Sequence, residues 1–158
     1  MILAVCAPLP GTGAGQKLAK AQAADSPEAA VKLLVAAAKA DDVHGFLAQL
    51  GGHTRAMMEM AMAMEAYDKA LDEKFGKKAG AGGGLSVISE LARFKTNKIE
   101  IRSQAPKGKD RVALTIWQTS KTDKGEDYIK EETWLTIKEA TGWKIILPEK
   151  GIVKEATR

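Results

Sequence analysis

The feature that most constrains this chain is a change of hydrophobic period near residue 97. Before it, apolar residues recur every three or four positions, as in a helix that buries one face. After it they alternate, as in strands with one covered face. A helical half followed by a strand half is not the alternating order of a parallel α/β sheet, and short loops between strands require antiparallel neighbours. The expected fold is α+β, with N-terminal helices packed on a curved four-stranded antiparallel meander sheet.

The helices announce their ends. Ser26-Pro27-Glu28 combines an N-cap, a proline in the first turn and an early acid, and the helix it opens runs to about Ala40. Ala30, Leu33, Leu34, Ala37 and Ala38 form its apolar stripe. Asp41-Asp42 ends it and caps a short helix from Val43 to about Leu50, which Gly51-Gly52 stops. Thr54 opens a long helix to about Phe75. Here Met57, Met60, Ala61, Met64, Tyr67, Leu71 and Phe75 recur at helical spacing, and Met58 and Met62 widen the face. A methionine stripe can serve as an adaptable binding surface, but it more often fills a core, and core is the expectation. Gly76 to Gly84 reads as a flexible linker, and a short helix from Ser86 to Phe94 leads to the strands.

Strands are expected at 97–104, 111–120, 128–139 and 142–148. Gly125-Glu126 as a two-residue turn sets Ile116 opposite Leu135, and Ala140-Thr141-Gly142 as a three-residue loop sets Ile137 opposite Ile145. The two turn readings agree on one apolar face: Ile99, Ile101, Val112, Leu114, Ile116, Leu135, Ile137, Ile145 and Leu147. The same register puts Trp117 directly across from Trp134 on the outer face, with Ile146 near them. Such a pair either stabilises the sheet or forms a partner patch, since tryptophan is enriched in interface cores.

The first 15 residues are apolar and then small, from Met1-Ile-Leu-Ala-Val-Cys to Gly11-Thr-Gly-Ala-Gly15, like the back half of a secretory signal peptide. The positive segment that normally precedes one is missing. Export to the periplasm or the cell exterior is the expectation, with lipid anchoring at Cys6 the less favoured variant. Gly11 to Lys17 mimics a phosphate-binding loop, but Gln16 and Leu18 break its pattern. The chain then divides into a leader (1–15), a lead-in linker (16–25), the α+β domain (26–149) and a C-terminal tail (150–158). No apolar run is long enough for a transmembrane span.

The net charge of +4 resides in the strand half: residues 1–80 hold nine basic and nine acidic side chains, and residues 81–158 hold fifteen and eleven. Arg93, Lys95, Lys98, Arg102, Lys107, Lys109 and Arg111 form a local run. Only Phe94 interleaves with it, so a solvated basic surface is favoured over a nucleic-acid or anion site.

Two stretches carry a family resemblance. Ser26-Pro-Glu-Ala-Ala-Val-Lys-Leu-Leu through Asp41-Asp42-Val-His-Gly-Phe-Leu, and the ending Gly142-Trp143-Lys144-Ile145, together resemble the nuclear transport factor 2-like superfamily over residues 26–149. The resemblance implies an α+β cone with a pocket between sheet and helices, and homodimers formed through the outer sheet face. The long Met-rich helix and the glycine stretch depart from that pattern.

No catalytic constellation stands out. His44 and His53 lie nine residues apart without accompanying acids at ligand spacing, so no metal and no cofactor are expected. Glu131 shares parity with the apolar sheet face, with Ser103 and Thr133 as polar company, and is the one candidate for a pocket base. The leading expectation is a non-enzymatic exported module that binds itself or a small ligand, through Trp117, Trp134 and Ile146. An isomerase- or cyclase-type enzyme using Glu131 is the alternative, and an anion or nucleic-acid binder is the third.

Overall fold

The computed structural model describes residues 22–76, 86–148 and 154–157. The leader with Cys6, the Gly11–Lys17 stretch and the glycine-rich segment from 77 lie outside these residues. Four helices come first: α1 (Pro27–Lys39), α2 (Val43–Gln49), α3 (Gly52–Phe75) and α4 (Val87–Thr96). An antiparallel meander follows, with strands β1 (Lys98–Pro106), β2 (Arg111–Lys121), β3 (Asp127–Glu139) and β4 (Gly142–Ile146) in spatial order. A short fifth strand, β5 (Lys154–Thr157), pairs with the first half of β3, in the segment read as a tail.

The caps behave as their chemistry requires. Ser26 Oγ accepts the Ala29 amide at 3.1 Å, and Asp42 Oδ1 accepts that of Gly45 at 2.9 Å. Gly76, with φ 61°, takes the left-handed position that closes α3. Residues 22–25, expected as a loose lead-in, are anchored: Ala24 is buried and its carbonyl accepts the Trp143 amide at 2.9 Å.

One core lies between the helices and one sheet face. Val31 and Leu34 of α1, Phe46 and Leu47 of α2, and Val87, Leu91 and Phe94 of α4 meet Leu114, Ile116, Trp134 and Ile145. The ring of Phe94 stands 5.5 Å from both Phe46 and Trp134, tilted on one and edge-on to the other. Ile99, Ile101, Val112 and Leu147 pack at its margin.

The register of β3 differs from the expected one. Ile116 pairs with Glu132 and Leu114 with Trp134. The cause is the turn. The Gly125 amide donates to the Thr122 carbonyl and the Thr122 amide to that of Glu126, both at 2.9 Å. The loop is therefore the three residues Asp123–Gly125, with Gly125 at φ 81°, rather than a two-residue turn starting at Gly125. The next turn is shorter than expected: Glu139 pairs with Gly142, leaving only Ala140-Thr141 between them. The first reading is off by three residues and the second by one. Both shifts are odd, so β3 alone is inverted and β4 returns to its expected face. Leu135 and Ile137 thus leave the core face, and Trp134 and Thr136 occupy it.

Candidate functional site

Inverting β3 exchanges the two neighbouring glutamates. Glu131, the expected pocket base, is exposed on the outer face, where its Oε2 accepts the indole N–H of Trp117 at 2.7 Å. A base in an enclosed cavity is excluded for it. Its expected company also changes. A bulge between Ile101 and Ser103 turns Ser103 outward, where its hydroxyl meets that of Thr115 at 2.8 Å.

Glu132 takes the inner position and is 4% exposed. Its Oε2 accepts the Trp134 indole N–H at 2.9 Å and a Gln118 amide N–H. Its Oε1 meets Lys130 Nζ at 2.6 Å and Arg93 Nη1 at 3.6 Å. Arg93 in turn holds Glu90 at 2.6 Å. Burial pushes the Glu132 carboxyl up, but the bonds from Lys130 and Trp134 and the charges of Arg93 and Lys130 outweigh it. The net effect holds the group below its ordinary value. A general base needs a lone pair facing a substrate, and here both oxygens are spent on neighbours. The arrangement ties α4 to the sheet and neutralises a buried charge. Sequence parity of Gln118 with Leu114 and Ile116 marks it as inward; Glu132 and Lys130 were hidden by the misread turn.

The Trp117–Trp134–Ile146 patch does not exist as a unit. Trp134 is fully buried on the inner face, and Trp117 pairs with Glu131 instead. Ile146 pairs with Leu135, toward the other end of β3. Trp117 is half-buried, with the Arg102 guanidinium 4.2 Å from its ring centre. It borders an open trough of about 430 Å³ that also includes Lys98, Glu100, Thr119, Asp127 and Ile129. The charges along that trough are paired: Lys98 with Glu100 at 3.1 Å, and Lys121 with Asp127 at 2.7 Å.

Of the seven residues of the basic run, Lys107, Lys109 and Arg111 are exposed, and the other four are engaged with neighbours. Arg93 serves Glu90 and Glu132, Lys95 holds Asp41 at 2.6 Å, Lys98 holds Glu100, and Arg102 lies on Trp117. His44 and His53 are exposed on different helices. Among the described residues, no group of three His, Cys, Asp or Glu is placed to hold a metal ion, and no helix is long and apolar enough to cross a membrane.

The largest departure from expectation is α3. Its 24 residues span roughly 36 Å, yet of its eight large apolar side chains only Met58 is buried. Met60, Met64, Tyr67 and Phe75 are 58%, 59%, 65% and 60% exposed. Leu71 and Met57 are half-buried beside them. At 100° per residue these six fall on one stripe, roughly opposite Met58. The sequence shows the stripe plainly; which side of the helix meets the body is a tertiary fact that spacing does not carry. Met57, Met60 and Met64 lie on this stripe, while Met58 is buried and Met62 packs against the core as expected.

No protein-family model and no curated protein matches the sequence. Among solved structures, a chain from Thiobacillus denitrificans, provisionally described as a calcium/calmodulin-dependent protein kinase type II association domain, is similar over 86% of this chain and 98% of its own. The identity is 14% and the TM-score 0.49.

Proposed function

We propose that this chain is a non-enzymatic association module, exported if its apolar leader acts as one. The observation that carries this reading is the exposed stripe of α3. Monomeric proteins rarely leave contiguous apolar patches beyond a few hundred Å² in water. Four large side chains at about 60% exposure, taken at roughly 200 Å² each when free, expose ~500 Å². The inner face supports the same reading from the other side. It is filled by Trp134, Phe94 and Phe46, and its buried carboxylate is saturated.

Light scattering on the full chain across a concentration series tests the proposal. Mass rising above the monomer as concentration rises supports it, and Glu132→Gln should leave that rise in place. A constant monomer mass, or association that depends on Glu132, refutes it.

A further inference from the structure

We infer that the occupant of the α3 stripe is a second copy of this chain, lying antiparallel along α3 about a two-fold axis between Met64 and Tyr67. The inference rests on the association reading above and adds to it the partner and its orientation.

Area is the first argument. Roughly 500 Å² from four side chains, joined by Met57, Leu71 and the exposed Ala56, Ala63 and Ala70, approaches the ~800 Å² per partner of a stable interface. One protomer's α3 offers nearly what one side of a dimer needs, and a self-complementary patch closes on a two-fold axis. Among the described residues, Met60, Met64, Tyr67 and Phe75 are exposed along the stripe, which leaves that face open to a partner helix.

Shape is the second. An antiparallel pair centred between Met64 and Tyr67 sets Met64 against Tyr67, Met60 against Leu71 and Ala56 against Phe75. The Phe75 ring thereby meets a small side chain. Ala56, Ala63 and Ala70 recur every seven residues along one flank. In an antiparallel pair like flank faces like flank, so Ala63 of one chain lies close to Ala70 of the other and the backbones can approach closely there.

Charge is the third. The second half of α3 carries Glu65, Asp68, Asp72 and Glu73 against Lys69 and Lys74, while the first half balances Arg55 with Glu59. A parallel pair would lay the two acidic halves side by side, and the antiparallel pair lays each beside a neutral half. The same acidity argues against a lipid surface, because helices that lie on membranes carry lysine and arginine on their polar face.

The test uses the full chain with Cys6→Ser as background. The background chain should dimerise. Tyr67→Glu should weaken dimerisation by about a hundredfold while helical circular dichroism is kept, since the position is a solvent-facing one in the protomer. Met60→Cys with Leu71→Cys should cross-link two chains under mild oxidation, and Met60→Cys alone should not. A dimer that survives Tyr67→Glu overturns this inference but keeps the association reading, and a background chain that stays monomeric overturns both. Cross-linking by Met60→Cys alone overturns the antiparallel arrangement. Binding of α3 to vesicles of anionic lipid, lost in Tyr67→Glu, would replace the second copy with a membrane.

Discussion

Glu132 is ionised in a place where a carboxylate is costly to bury, and the groups around it decide the sign of its effect. Its folded-state pKa lies below the ordinary 4.5. A depressed carboxyl contributes stability above its unfolded pKa and loses it as pH falls through the folded value. Glu132→Gln keeps the shape but removes the charge that Lys130 and Arg93 answer. Both cations are partly solvated, so the loss at neutral pH should be about 2 kcal/mol, under the usual cost of breaking a buried pair. Denaturant unfolding should show the gap between wild type and Glu132→Gln narrowing below about pH 4.5; an equal gap at pH 7 and pH 3 would refute the ion-pair role. Gly142 is a second residue with a sharp consequence. Its φ is 104°, and an added Cβ would stand 2.6 Å from the Ala24 carbonyl oxygen. Gly142→Ala therefore combines backbone strain with a clash and should cost roughly 3 kcal/mol in thermal or denaturant unfolding. A neutral substitution would contradict both the positive φ of Gly142 and its close contact with Ala24.

The element that tests the sheet is β3, because its face depends on one turn. With Trp134 in the core and Trp117 outside, Trp134→Ala should cost about 3–5 kcal/mol and Trp117→Ala nearer 1 kcal/mol. Iodide should quench the fluorescence of Trp117 far more readily than that of Trp134. Equal costs, or the reverse order, would restore the expected register. Much of the architecture was legible before any coordinates. The change of period divides helices from strands, Ser26-Pro27 and Asp42 mark caps, and Ile99, Ile101, Leu114, Ile116 and Ile145 show the core face by parity. What failed was local. Lys124-Gly125-Glu126 permits both a two- and a three-residue loop, because a glycine at positive φ suits either. Agreement between two turn readings was no check, since two odd errors cancel at β4 and leave only β3 inverted. The candidate site fell with that one strand: Glu131 for Glu132, and a Trp117–Trp134 pair where there is none.

At the scale of the whole molecule, the chain is a filled α+β core that presents one long amphipathic helix outward. Local pattern could not show this, because a stripe of Met, Tyr, Leu and Phe looks the same whether it faces a core or a partner. The account's central claim is that α3 is covered by association. Hydrogen exchange of the full chain at low and high protein concentration tests it most directly. Amides of residues 60–75 should gain protection as concentration rises, while those of β1 and β2 on the outer sheet stay unchanged. Protection independent of concentration, or a gain confined to the outer sheet around Trp117, would contradict it.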